Sequence, residues 1–455
     1  DVVAKQGVAP ADEDVTRFDG GRVGTIAASH GIHDSYTAFL APMLIVFKET
    51  MGLSNTQAGL LSVFMQEASL LQPVIGGVAD RFAARYFVIL APAITAIAMS
   101  LLGVANGYVA LAVLLTVAGL SSACLHAVGP VMAGNVSGKK LGLGMSIWMV
   151  GGEAGRFIGP LVIGAFIPFA GRENMPWLML GGLLTSAVLF FALPADRRSA
   201  QGLARRGTSL REELRGKEQM LLPLIGIMVV HVIVSASLVT YLPVLLYDAG
   251  ESFWLASVSL SVLQLAGVVG AFFGGTLSDR LGRRLMIFIA IFPASILMFV
   301  FLAVTGWMRF PLLVLLGLTS LSITPVIMAL VQESFPNNRT LANGLYMALS
   351  FVFRSIVVVL VGWMGDTWGL RTAFTVAAIV PLLALPLLKW LPGRKVIISP
   401  EWIEDVDWAQ RRILVKLSCR QLRQSPVYDP SQPVNREYES MLYDYYGRPR
   451  YWDGE

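Results

Sequence analysis

Apolar runs of about twenty residues, each closed by a short polar interval, recur along most of the chain. Twelve are present, at roughly 23–47, 55–79, 86–106, 108–132, 143–169, 174–193, 221–247, 252–277, 285–306, 310–334, 341–365 and 371–391. A helix crosses the hydrocarbon layer of a bilayer with about 20 mostly apolar residues, so each run predicts one membrane-spanning helix. Between the sixth and seventh lies a polar stretch, Pro194 to Gln219, with Arg197, Arg198, Arg205, Arg206, Arg211, Arg215 and Lys217. It divides the runs into six and six.

The pattern changes after Pro392. Lys395–Ser399, Glu404–Trp408 and Arg412–Leu417 alternate with period two and predict short strands, and Ser418–Gln424 predicts one or two helical turns. The remainder is rich in Tyr, Pro and Arg. The expected organisation is a disordered tail (1–21), a six-helix half (22–193), a central loop (194–219), a second six-helix half (220–392) and a small soluble appendix (393–455). The first twenty residues are polar and acidic and show no cleavable leader.

Composition agrees with an all-α membrane protein. The chain of 455 residues is 55% hydrophobic and 14% charged, with mean hydropathy +0.64; soluble proteins carry about 25% charged residues. The net charge of +5 does not imply a nucleic-acid partner, because the basic residues sit in short loops. One set of loops holds fifteen of the 35: Arg81, Arg85, Lys139, Lys140, Arg280, Arg283, Arg284, Arg339 and the seven of the central loop. The alternate loops hold Lys48, Arg172, Arg309 and Arg371. Positive loops face the cytoplasm, so both termini are expected there, in a bacterial inner membrane. Cys124 and Cys419 form neither a disulfide framework nor a zinc site; no metal and no cofactor is expected. No GxxxxGK[ST] motif appears, so ATP is not the expected energy source.

Two stretches nearly copy each other: Gly76 to Arg85 and Gly275 to Arg284. Each places Gly four residues before Asp-Arg (Asp80-Arg81, Asp279-Arg280) and adds Arg85, or Arg283 and Arg284. Small residues let helices approach, and an Asp can accept hydrogen bonds from a helix start. Repeated after the second run of each half, the element reads as a gating hinge, a latch of one transport state. These residues resemble the loop motif of the major facilitator superfamily. Gly155, Gly159, Pro160 and Gly164 resemble its antiporter motif GxxxGPxxxG. Within it, His30, Asp34, Ser121, Ser122, His126, Gly144, Ser146, Gly151, Gly152 and Gly155 are similar to the fosmidomycin-resistance branch, from which Ala127 and Glu153 depart. The resemblance implies twelve helices in two pseudo-repeats, with spans 3, 6, 9 and 12 facing lipid and the others lining a central cavity. Trp402, Ile403, Val406-Asp407-Trp408 and the segments near Ser425–Pro430 and Leu442–Trp452 resemble part of a PRC-barrel domain, implying protein contacts.

Ionisable residues inside the runs carry the candidate chemistry. A charge at mid-bilayer costs at least ~2.5 kcal/mol and must face protein or water. His30 and Asp34 are four apart and share a helix face. Asp34 lies about 11 residues into its run, near the membrane centre at ~1.5 Å per residue. With Glu153 and Glu67 they are the candidate proton carriers. Arg156 and Arg354 occupy equivalent runs, five and eleven, at similar depth. Two guanidiniums suit a carboxylate, phosphate or phosphonate; with His126, His231 and Gln66 they are the candidate substrate residues. The alternative is a set of satisfied structural pairs, Arg156 with Glu153 for one. His33 points away from Asp34. Trp148, Tyr241 and Tyr346 are candidate cavity aromatics.

The expected function is a secondary transporter working by alternating access, not an enzyme: proton-coupled export of a small anionic or zwitterionic compound. Uptake of an organic anion is the alternative. From other classes stand a transporter-like sensor or scaffold, and an oxidoreductase holding haem on His126 and His231. The expected partners are that substrate, protons, the bilayer and a protein met by the appendix.

Overall fold

Side-chain caps fix where the spans begin. The Asp19 carboxylate accepts from the Arg22 backbone N–H at 3.0 Å. Ser54 and Gln57 form a reciprocal capping box ahead of the second span, and the Ser252 hydroxyl accepts from Leu255 N–H ahead of the eighth. Each cap satisfies a donor that the helix leaves free. The computed structural model describes residues 18–79, 85–193, 218–335, 339–391, 396–408, 412–426, 428 and 433–453. The expected tail and central loop lie almost wholly outside them.

Twelve helical spans result. Six run through the first half: Gly20–Thr37 with Leu40–Met51; Asn55–Gln66, Glu67–Leu71 and Gln72–Ala79; Arg85–Leu101; Tyr108–Asn135; Leu141–Ala170; Arg172–Leu178 with Met179–Ala192. The second half follows suit: Glu218–Ala236, Ser237–Tyr241 and Leu242–Asp248; Phe253–Leu281; Arg283–Ala303; Arg309–Ser320 with Ile323–Ser334; Arg339–Trp368; Leu370–Ala384 with Leu385–Trp390. Among the described residues, nine stretches are long and apolar enough to cross a membrane, and Arg85–Leu101 is a shorter apolar helix. The first two spans are diluted by His30, His33, Asp34, Gln66 and Glu67, the residues that carry candidate chemistry. The seventh contains a π-helical turn at Ser237–Tyr241, a feature frequent at functional sites.

The first span lies along the fifth, the third on the fourth, and the eighth along the tenth; the halves meet where the fifth touches the eighth and the second touches the eleventh. A glycine stripe brings the first and fifth spans together. A Cβ added at Gly151, Gly155 or Gly159 would strike the carbonyl oxygen of Ala27, Gly31 or Ser35. The antiporter-like motif thus has a packing role: glycine lets two backbones touch. Gly155→Leu is expected to wedge the spans apart at a cost of about 1–3 kcal/mol, read as a lower melting temperature of the purified protein. Gly142→Leu, where nothing lies within 4 Å, is expected to leave it unchanged.

The apolar core shows which end is shut. One cluster joins both halves, through Tyr36, Phe39 and Met43 on one side and Leu238, Tyr241 and Val358 on the other. Toward the hinge face the core divides. Ile26, Val88 and Leu125 pack within the first half, and Leu224, Ile287 and Ile327 within the second. Large apolar side chains such as Phe169, Phe191 and Leu383 stand exposed around the bundle; lipid is the solvent they require.

In the appendix, Ile403–Asp407 and Arg412–Val415 pair antiparallel, with Val406 opposite Ile413. Val396–Ser399 forms no strand, contrary to expectation. It leads into the turn Pro400–Trp402, and proline has no N–H for a ladder. The expected helical turn is Cys419–Gln424, capped by Ser418 and Gln421. A further helix, Arg436–Tyr446, starts at Asn435. It packs Leu442, Tyr443 and Tyr446 on Trp402, with the Arg436 guanidinium 4.2 Å from the Trp452 ring centroid.

Candidate functional site

Buried groups of the first, fourth and fifth spans converge. His30 and Asp34 are one turn apart and almost fully buried. His30 Nε2 lies 3.4 Å from Asp34 Oδ2 and 3.3 Å from His126 Nε2; His126 Nε2 is 3.7 Å from Asp34 Oδ1. His30 Nδ1 sits 3.0 Å from the Trp148 carbonyl, and its ring stacks on the Trp148 indole at 3.8 Å between centroids. Gly152 makes room, since a Cβ there would strike the His30 ring. His126 Nδ1 is 2.9 Å from the Ser122 carbonyl. His33 is fully buried, and its ring centroid lies 6.0 Å from that of His126. The facing nitrogen and oxygen atoms of His30, Asp34 and His126 all lie within 4.8 Å of one another.

Arg156 binds Glu153 on its own helix, and its Nε is buried without a partner. Its charge reaches both Asp34 and His126. Arg354 lies within electrostatic range of Arg156 and of His231. Among the described residues no carboxylate pairs with Arg354, so the guanidiniums repel one another across the seam of the halves. An anion between them would relieve that repulsion. His231 Nε2 is 3.1 Å from the Thr324 hydroxyl.

Other expected residues are scattered. Glu67 stands exposed at the break in the second span, and the neighbouring Gln66 Oε1 is buried and unpaired. Trp148 and Tyr241 are buried packing elements rather than cavity lining. Of the first hinge, Asp80 and Arg81 lie outside the described residues, and Arg85 stands over the rings of Tyr86 and Phe190. In the second hinge, Arg283 meets Asp279 at 2.6 Å and Glu333 at 2.8 Å, and Arg284 donates to the Leu391 carbonyl. Arg280 is exposed. These contacts stay within the second half.

Polar links between the halves gather at the face opposite the hinges. The Asp366 carboxylate accepts from Asn55 N–H at 2.6 Å, Thr56 N–H at 2.9 Å and the Thr56 hydroxyl at 2.6 Å. The buried Tyr241 hydroxyl lies 2.8 Å from the Val358 carbonyl and 3.1 Å from that of Asn55. Lys48 donates to Asn55 Oδ1 at 2.8 Å and pairs with Asp248 at 3.2 Å. Asp366 as a link is invisible from sequence, because an acid at the end of a span reads as a loop residue.

Two six-span halves with ionisable groups enclosed between helices define a transport protein rather than an enzyme. The chain matches the profile of the Major Facilitator Superfamily over residues 26–314 and 260–421, and it belongs to that family. It is 26% identical to the fosmidomycin resistance protein of Escherichia coli (strain K12), over 85% of this chain and 96% of that one. It is 24% identical to the multidrug resistance protein MdtG of Serratia proteamaculans, over 79% and 90%. The fold superimposes on a bacterial homolog of the lysosomal transporter Spinster in an inward-facing conformation with TM-score 0.68 at 15% identity, covering 81% of this chain and 95% of that one. The haem alternative falls away: His126 uses both ring nitrogens within the first half, and the family is one of transporters.

Proposed function

We propose that this multi-pass secondary transporter couples the export of a small anionic or zwitterionic compound to proton entry across a bacterial inner membrane. Both termini and the hinges then lie on the cytoplasmic side. The observation that carries the reading is the cluster of buried His30 and Asp34 with the half-buried His126, beside the charge of Arg156. Buried ionisable groups in a span mark ion pathways, and a midplane site between rocking halves is how secondary transporters work. Arg156 and Arg354 supply the anion site, with His231 and Gln66 beside the path; Glu153 holds Arg156 while the site is empty. The drug-resistance relatives support export. Asp279, Arg280, Arg283 and Arg284, with Asp80, Arg81 and Arg85, form the cytoplasmic gate. The appendix, with its own aromatic core, is a docking module for a protein partner.

The test is flux in proteoliposomes under an imposed pH gradient, with carboxylates and phosphonates as cargo. Wild-type protein is expected to move cargo against its gradient only while the proton gradient lasts. Asp34→Asn should retain exchange but lose gradient-driven accumulation. Accumulation by that variant at the wild-type level would sink the assignment of Asp34 to coupling, and inward accumulation would establish uptake.

A further inference from the structure

The hydrogen-bond partners of two histidines dictate where a proton must sit. His30 Nδ1 faces the Trp148 carbonyl at 3.0 Å, and His126 Nδ1 faces the Ser122 carbonyl at 2.9 Å, with the Ser122 hydroxyl farther off at 3.3 Å as a second acceptor. A carbonyl oxygen only accepts, so both Nδ1 atoms carry hydrogen. In a neutral imidazole the other nitrogen then holds a bare lone pair. The two Nε2 atoms are 3.3 Å apart. With both rings neutral, lone pair would face lone pair, and the Asp34 oxygens at 3.4 and 3.7 Å would add further acceptors. Four acceptors would then converge in a pocket where His30 and Asp34 are 4% and 5% exposed. Unpaired buried acceptors of this kind are costly.

One proton resolves the conflict. Placed on either Nε2, it gives an imidazolium that donates to the other ring, and Asp34 supplies the balancing negative charge. Accordingly, we propose that the coupling proton resides on the His30–His126 imidazole pair and that Asp34 remains an ionised counter-charge. The inference rests on the proton-coupled reading and moves the proton from the carboxylate to the rings. Only an N–H bond is made and broken, with the nitrogen lone pair as acceptor. The His126 side chain is one-third exposed, so it is the door, and the buried His30 is the inner seat. The Trp148 indole under His30 suits a ring that becomes cationic. The charged or titratable groups facing the pair are Asp34 and His33 of the first span and Arg156 of the fifth. The third and sixth spans, which also pack on the first, place no charged side chain beside it.

Purified full-length protein in nanodiscs tests this by infrared difference spectroscopy across a pH step, paired with nitrogen NMR of labelled histidine. The expected result is conversion of imidazole to imidazolium with no buried protonated-carboxyl band. His126→Gln should take up one proton fewer per protein over the same step. A buried protonated-carboxyl band that disappears in Asp34→Asn would overturn the proposal. So would one zinc ion per protein that survives chelator washing and is lost in His126→Gln, because a metal would then occupy the space between the acceptors. The wild-type spectra carry the assignment even if a variant fails to fold. Gradient-driven flux in proteoliposomes reports the coupling itself. Flux with a protonated Asp34 defeats only the seat of the proton, whereas absence of flux defeats the coupling.

Discussion

Asp366→Ala is expected to release the closed face of the bundle. Three hydrogen bonds from the start of the second span end on this one carboxylate. Hydrogen bonds to a charged acceptor contribute about 1.5–3 kcal/mol each, but Asp366 is exposed and water recovers much of the loss, so the net effect expected is about 1.5 kcal/mol. At about 1.4 kcal/mol per tenfold, the ratio of closed to open molecules at that face should fall roughly tenfold. Spin labels on cysteines at Asn106 and Ala249, exposed loop positions on opposite halves, read this as a longer distance population. Asp248→Asn is the comparison. Its bond to Lys48 is half exposed, and exposed ion pairs contribute only about 0–1 kcal/mol. It should barely move the distribution. Equal distributions for Asp366→Ala and wild type would show that the apolar core around Tyr241, not the carboxylate, shuts this face.

The contrast between Asp366 and Asp34 shows what a sequence can disclose. Hydropathy is a one-dimensional signal, so the twelve spans, their division and the paired hinges are all legible. So is any contact one helical turn long: His30 with Asp34 and Arg156 with Glu153 follow from spacing alone. His126 was visible as a histidine inside an apolar run, but its meeting with His30 was not. That contact depends on which face of the fourth span turns toward the first, and the fourth span is apolar almost all round. Asp366 is harder still, since its partner, the start of the second span, is about 310 residues away. In the appendix, the helix Arg436–Tyr446 was hidden because tyrosines supply its apolar stripe, although Asn435 with Glu437 and Glu439 is a helix-start signal. Val396–Ser399, the described part of an expected strand, forms none because alternation alone supplies no partner edge.

Arg354 combines a cost with a use, and the two should separate by substitution. Its guanidinium is partly buried within electrostatic range of that of Arg156, and among the described residues no carboxylate pairs with it, while Glu153 already engages Arg156. Uncompensated like charge destabilises a fold, and an apolar group of similar volume removes that repulsion. Arg354→Met is therefore expected to melt at a higher temperature than wild type in the absence of cargo. It should also lose the stabilisation that a bound anion confers. Arg354→Lys keeps the charge and loses the bidentate fork. Anion transport should fall about 10- to 100-fold, equivalent to one lost charge-assisted hydrogen bond, and transport of a neutral compound much less. Thermal melts with and without phosphonate, set beside flux of charged and neutral cargo, separate the outcomes. A lower melting temperature for Arg354→Met would make Arg354 a structural anchor of the eleventh span. Equal loss of both cargoes in Arg354→Lys would remove it from the anion site, leaving Arg156 to hold the anion alone.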